Sequence, residues 1–574
     1  RHLILEKGKS RTVAPTLRKE ILPVVTNAGP RCAREMAAQG AEVKNGAQGS
    51  GTRDPTSVTW LMFQSELETR APVDTIVTGE IPNWLSGTLY RNGCGLFDKE
   101  TTSGTHLFEG YGVLHRYDVK EGHVKYTSRI LDREAWLKAV KANRLAVAED
   151  GTTKEYPDPC VTTFAGTASY FKQDDGSEPD RADEEEEDKT GVNIVEHGDK
   201  VFALTESPVM QEVDPVTLAR KSKVDLQKLL SVHMATAHPH FGKDGSMYNL
   251  GTAFAPPNNY NIIMMPPHSL DSDKEVLKRV KLVASVQSRW NFSISYSHSF
   301  GMSEKHFIIL EQPATLSTMK ILKQGGSGKV APATVFKNFD LHPDDKVVAT
   351  QYLANPCFTF HFVNCYDDGD YVVVDLASYD NLNIINDLSL TNVTTSREDV
   401  VTATVRRYVL PLKIDKHPVG HNLPTLPYTT ARAKVVSPGV VHLTPDYICK
   451  KKEKIYIELP RINYEKCAGR KYRYVYGTSL FTKVHRLIKL DMEKRTPVYW
   501  EEEGYDPGEP VFVPRPGATE EDDGVLMSPV IHLTGEKPCF LLFLDAATFT
   551  EIARATTPPG VRIAMSFHGN FYQK

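Results

Sequence analysis

From about Thr75 to the C-terminus the chain repeats one short unit, a run of β-branched, aromatic and aliphatic residues followed by a turn. VTGEIPNWLSGTLYRNG, GVLHRYDVKEGHVKYTSRIL, HGDKVFALTESPVMQEVDP and HFGKDGSMYNLGTAF open the series. KHFIILEQP, DGDYVVVDLASY, RRYVLPLKI, KIYIELPRINY and CFLLFLDAATF continue it. Such runs bounded by Gly, Pro, Asp and Asn read as strands. Helical patterns are short and few, DREAWLKAVKANR being one. So many strands need a way to bury their edges, and radial repetition supplies it, so the expected fold is an all-β propeller. No clean sequence period is visible, and the blade count therefore does not come from periodicity.

Composition agrees with that architecture and removes other classes. The 38 Gly and 36 Pro punctuate turns throughout the 574 residues. A net charge of −4 without a basic stripe excludes a dedicated nucleic-acid binder. The eight cysteines are scattered, with no CxxC pair, which argues against a disulfide framework or a zinc finger and suits a reduced, cytoplasmic compartment. No run of about 18 apolar residues is present to span a bilayer.

Three segments stand apart from the strand pattern. Residues 1–55 lack hydrophobic periodicity and read as disordered, with Met36 opening a stretch like an ordinary cytosolic N-terminus; residues 1–35 are expected to be upstream or processed sequence. The remaining 56–574 reads as a single domain. Within it, QDDGSEPDRADEEEEDK (173–189) is an acidic solvated loop. PDPCVTTFAGTASYF (157–171) is apolar with little charge, and reads either as a buried segment or as a surface patch that touches membrane.

Four of the 19 histidines occupy an unusual context. In SISYSHSF, alternation puts Ile294, Tyr296, His298 and Phe300 on one face of a strand from 293 to 300. In NPCFTFHFVNCY, Phe358, Phe360 and Phe362 alternate, placing His361 on the opposite face. His568 follows Phe567 in AMSFHGNF, and His238 precedes the stiffening proline of TAHPH. Their wide separation excludes zinc-finger or HExxH spacing and puts each on a different supersecondary unit. Strands converging on a propeller axis would bring them together. Four imidazoles make an all-nitrogen site suited to iron, copper or zinc and poor for calcium or magnesium. Ligating histidines need an acceptor for the other ring nitrogen, and Glu206 (FALTESPV), Glu458 (IYIELPRINY) and Glu509 (GEPVFV) lie in suitably apolar strands.

TAHPH with DGSMYNLGT, YSHSFGMSEKHFIILEQP, FHFVNCYDDG, ELPRINYEKCAGRKYRYVYG, EDDGVLMSPV and the terminal FHGNF resemble the carotenoid cleavage oxygenases, closest to their animal branch of β-carotene oxygenases, insect carotenoid isomerooxygenase and the retinal pigment epithelium retinoid isomerohydrolase. The resemblance runs from about Val58 to the C-terminus. It implies a seven-bladed β-propeller capped by loops and short helices, with iron(II) on the axis. By matching motifs, the ligands fall on His238, His298, His361 and His568 and the carboxylates behind them on Glu206, Glu458 and Glu509, the same seven residues. His240 takes a structural role. The sequence departs from the family pattern at Cys94 (RNGCG for RNGPG), at Glu109 (HLFEGYG), in AEDGTTKEY ahead of PDPC and in the acidic insert, all away from the ligands.

The implied activity is cleavage of a carotenoid by O2, with β-carotene cut at its central double bond to retinal. The alternatives are a retinoid ester isomerohydrolase on the same iron and a non-catalytic carotenoid or retinoid binder. An uncharged polyene must be placed by shape, and Trp290, Phe292, Tyr296, Phe358 and Phe567 are the expected lining of an aromatic tunnel. A waxy substrate favours peripheral contact with an intracellular membrane through 157–171, with Cys160 a candidate for lipid modification. The specific double bond, isomerisation of the polyene and oligomeric state are not encoded in any motif.

Overall fold

Adjacent strands meet through turns whose backbone the residues dictate. Tyr111–Lys120 and His123–Ile130 are joined by Glu121 and Gly122, both at positive φ (51° and 75°), as a two-residue hairpin turn of the primed kind requires. Phe358–Asp368 turns back at Gly369 into Tyr371–Tyr379, whose YVVVDLASY sequence is β-branched and buried almost throughout. The computed structural model describes residues 20–26, 68–96, 107–131, 133, 190–254, 257–267, 273–317, 350–388, 401–414, 417–423, 425–449, 453, 455–479, 482 and 484–574. The acidic segment 173–189, the apolar segment 157–171 with Cys160, and most of DREAWLKAVKANR lie outside the described residues.

The described strands form eight sheets, most of them antiparallel meanders of consecutive strands, as expected of an all-β chain. Helices are short: Leu226–Leu230, Asp273–Lys278, Asn383–Asp387 and Tyr464–Cys467. The two ends of the folded chain interlock across two sheets. The C-terminal strand His568–Gln573 pairs with Gly87–Leu96, and Ile76–Gly79 pairs with Thr550–Thr556. This pairing leaves the last strand no free choice of position. Gly569 permits the close approach, because a Cβ there would stand 1.9 Å from the Tyr90 carbonyl oxygen.

The largest apolar cluster gathers residues from most of these sheets, among them Leu89, Phe307, Phe358, Val475, Met527 and Phe543, each at most 3% exposed. Burying each such side chain contributes about 1.5–3 kcal/mol. All six described cysteines are buried.

Two expectations change. SISYSHSF is not one strand, since pairing with Thr315–Ser317 covers only Ser293–Ser295. The Tyr296 N–H still reaches the Ala314 carbonyl at 2.9 Å, beyond which the backbone leaves the ladder; the side chains of Tyr296 and His298 bond to Glu206, while Ile294, Tyr296, His298 and Phe300 all stay buried. The second change concerns residues 1–55, expected to be disordered. Glu20–Thr26 forms a strand lying parallel between His306–Glu311 and Gln351–Ala354, in register Glu20 with His306 and Val24 with Tyr352. The main-chain groups of both neighbours supply the order that apolar periodicity does not advertise.

Deleting residues 1–35 would therefore strip a strand from between two others. Its expected result is a fall in thermal midpoint of about 1–2 °C or more, the shift that ~1–2 kcal/mol produces in a domain of about 500 residues. An unchanged midpoint would show that the sheet does not need this strand.

Candidate metal centre

Seven polar residues reach one point from seven different sheets. His238 sits in the turn between Met234–Ala235 and His240–Phe241, His298 follows Ser293–Ser295, His361 lies in Phe358–Asp368, and His568 opens the C-terminal strand. Glu206 follows Lys200–Leu204, Glu458 opens Glu458–Arg461, and Glu509 falls between Tyr505–Pro507 and Val511–Pro514. Sequence neighbours contribute little to the site; ring closure assembles it.

The four imidazoles face one another. Their ligand atoms lie within 4.8 Å of each other, and the ring centroid of His238 is 4.6, 5.1 and 4.5 Å from those of His298, His361 and His568. Nitrogens bonded to one ion at roughly 2.1 Å are at most ~4.2 Å apart, so the set matches a coordination sphere to about half an ångström. The Nε2 atoms of His238 and His298 stand 2.9 Å apart, close to the ~3 Å of adjacent ligands on one ion.

Three of the rings are aimed by a buried carboxylate. Nδ1 of His298 bonds to Glu206, Nδ1 of His361 to Glu458 at 2.6 Å, and Nδ1 of His568 to Glu509 at 2.8 Å. A ring donating from Nδ1 presents a bare Nε2 lone pair to the centre, the state that binds a metal. His361 Nε2 is accordingly a buried ring nitrogen without a protein partner. Among the described residues His238 has no such carboxylate.

Each acid is held in turn. Tyr296 donates to Glu206 at 2.6 Å, Tyr379 donates to Glu458 at 2.6 Å, and Arg91 donates to Glu509 at 2.6 Å with both side chains of that ion pair sealed from solvent. Burial alone would raise the Glu509 carboxyl, but the charges of Arg461, His568 and Arg91 outweigh it and hold the value at about 2. Glu458 is lowered as well, burial being outweighed by His361 and by hydrogen bonds from His361, Tyr379 and the Leu459 amide. Burial, and then the neighbouring rings, push His238 well below its ordinary value; burial takes His568 down to about 4 against the pull of Glu509. Both rings are therefore neutral at neutral pH, as ligation requires.

An aromatic box covers the histidines. Phe360 packs edge-on to His298 at 5.0 Å and to Phe358 at 4.8 Å, and Phe358 stacks on Tyr296 at 6.4 Å. Phe108, on the 3₁₀ turn Leu107–Glu109, stacks on His298 at 6.4 Å and meets Phe360 and Phe567 edge-on. Of the five expected lining residues, Tyr296, Phe358 and Phe567 join this box. Trp290 is buried under the Arg289 guanidinium, and Phe292 is 56% exposed; neither makes ring contacts with the histidines. Phe108, Phe360 and Tyr379 were not anticipated.

Irregular pairing explains Phe360. The register shifts between Thr359 and His361 and again between Phe362 and Asn364, which breaks strict alternation and lets Phe360 and His361 share the site. His240 points elsewhere, with Nδ1 2.9 Å from the Tyr464 hydroxyl and Nε2 3.0 Å from the Phe300 carbonyl, contacts that anchor the turn carrying His238. Cys94 is buried against the Gly191 carbonyl, away from the rings.

Replacing Glu458 by Gln would leave His361 without its anionic acceptor. Metal affinity, measured by titration of the apo-protein, is expected to fall by roughly 10–100-fold. Unchanged affinity would show that Glu458 does not orient a ligand.

The chain is similar to known proteins in sequence and in fold. The mouse (Mus musculus) β,β-carotene 15,15′-dioxygenase is 34% identical over 528 residues, 88% of this chain and 90% of that protein. The human enzyme of the same name is 34% identical over 520 residues, 87% and 92% of the two chains. The mitochondrial carotenoid-cleaving dioxygenase of Mustela putorius furo is 34% identical over 544 residues, 91% and 97%. In fold, the chain is similar to a mutant of Synechocystis apocarotenoid oxygenase and to the cobalt-substituted form of that oxygenase. Both have a TM-score of 0.62 at 20% identity and cover about nine tenths of this chain and nearly all of their own. The profile of the retinal pigment epithelial membrane protein family matches residues 62–573. This chain belongs to the retinal pigment epithelial membrane protein family, the carotenoid oxygenases.

Proposed function

We propose that the protein is an iron(II)-dependent dioxygenase that cleaves a carotenoid, with β-carotene cut at its central double bond to give retinal. The observation that carries the reading is the cluster of four imidazoles, three of them aimed by buried carboxylates, under a box of aromatic rings. The curated relatives point the same way, being dioxygenases of β,β-carotene and of carotenoids. The seven sheets that each deliver one of these residues support a seven-bladed propeller, with 56–574 as a single domain that the strand Glu20–Thr26 joins.

The donor set suits the ion. Four neutral imidazoles leave the full positive charge on the metal, and an all-nitrogen shell fits iron better than a hard oxygen-seeking cation. Iron(II) held there would supply the activation of dioxygen that splits an alkene, RCH=CHR′ + O2 giving RCHO + R′CHO. No proton is gained or lost in that balance. His238, His298, His361 and His568 hold the ion, while Glu206, Glu458 and Glu509 keep three rings turned inward. Phe108, Phe358, Phe360 and Phe567 exclude water and offer a polyene apolar surface without charge. Placement of one double bond beside the ion is the remaining contribution of the chain.

A polyene substrate arrives from a bilayer or carrier. Peripheral contact through 157–171 at an intracellular membrane, from a cytoplasmic location, completes the reading, and Cys160 is a candidate for lipid modification there. No helix among the described residues is long and apolar enough to cross a membrane.

Iron-loaded protein incubated with β-carotene in air should yield retinal, and under nitrogen it should yield none. Separately, all-trans retinyl ester should pass through unchanged. Oxygen-independent formation of cis-retinol from the ester would replace this reading with isomerohydrolysis, and unchanged β-carotene in air with bound iron would replace it with carotenoid binding.

A further inference from the structure

Glu458 divides its donors between its two oxygens, as Glu509 does with His568 on Oε1 and Arg91 on Oε2, but its second oxygen is held by a neutral phenol. Its Oε2 accepts from His361 Nδ1 at 2.6 Å and from the Leu459 amide at 2.8 Å, while its Oε1 accepts from the Tyr379 hydroxyl at 2.6 Å. At Glu206, by contrast, the tyrosine and the histidine share one oxygen, Oε1. The carboxylate of Glu458 is thus gripped at both ends, with the ligand on one oxygen and a phenol on the other. Leu459 sits at a φ of 48°, a conformation disfavoured for a residue with a side chain, and its amide is one of the three donors.

Tyr379 is well placed to set that grip. It ends the strand Tyr371–Tyr379, lies directly opposite Phe358 in the ladder and is 3% exposed. Its ring packs on Phe358 at 6.2 Å and edge-on to Phe360 at 6.0 Å, inside the aromatic box. The ring is therefore fixed by packing, and the hydroxyl has one direction to point. Removing that O–H would leave Oε1 buried without a donor, a costly state that the carboxylate can relieve by rotating. Rotation would carry the acceptor away from His361 Nδ1 and turn the Nε2 lone pair off the centre.

We propose that Tyr379 is a positioning residue of the metal centre, whose hydroxyl fixes the rotation of Glu458 and through it the aim of His361. The proposal rests on the four histidines binding a metal. Its test uses cobalt(II), whose visible absorption reports ligand geometry independently of turnover. Apo-protein of the wild type, Tyr379→Phe, His361→Ala and the double variant is titrated with cobalt(II), with the thermal midpoint of each apo form recorded. Tyr379→Phe keeps the ring and its packing, so its apo midpoint should stay near that of the wild type. Its cobalt affinity should fall by about tenfold, the lower end of the usual cost of losing a supporting partner, with a shifted absorption band. In the His361→Ala background the same change should cost nothing further, because no ligand remains for the hydroxyl to aim.

Wild-type protein that binds no cobalt would refute the histidine metal site itself. Wild-type binding with an unchanged affinity and spectrum in Tyr379→Phe would overturn the proposal alone. So would equal losses in both backgrounds, or an apo Tyr379→Phe that does not fold, since each marks the hydroxyl as merely structural.

Discussion

The pairing of an imidazole with a buried carboxylate is the interaction on which this centre depends. A carboxylate away from water is stable only where donors surround it, and an imidazole in a cluster of imidazoles is useful only if its proton is on the outward nitrogen. Each solves the other's difficulty at Glu206 with His298, Glu458 with His361 and Glu509 with His568. The Arg91 guanidinium adds a further anchor for Glu509, and it also holds the Phe567 carbonyl at 3.0 Å, next to His568. Tertiary closure and ligand orientation are therefore the same event at the C-terminus, where the last strand docks against Gly87–Leu96.

The surroundings of the rings are suited to an uncharged substrate. Among the described residues, Phe360 and Phe108 flank His298, and Phe108 reaches it from a 3₁₀ turn and not from a strand. Such a box selects by shape and polarisability. Glu206, Glu458 and Glu509 bond the Nδ1 side of their histidines, where they orient the rings.

Much of this was legible in the sequence. Alternation in SISYSHSF identified a histidine on a buried face, and the apolar settings of Glu206, Glu458 and Glu509 identified acids that needed a donor. What alternation does not encode is where a strand leaves its ladder. That limit hid the end of the strand at Ser295 and the irregular pairing that turns Phe360 and His361 to the same side. Trp290 and Phe292 read as tunnel lining because they are aromatic, but neither makes a ring contact with the four histidines. Phe108 lies far from any ligand in sequence and only closure of the sheets brings it in, whereas Tyr379 arrives through the hairpin pairing that sets it opposite Phe358. Glu20–Thr26 was invisible because its order comes from main-chain bonds to two neighbouring strands, which composition does not record.

X-ray absorption at the iron edge of the iron-loaded protein tests the central claim most directly. One iron per chain surrounded by four imidazole nitrogens, with no carboxylate oxygen bound from the protein, is the predicted result. A shell containing fewer than four imidazoles, or one in which a glutamate has displaced a histidine, would contradict it.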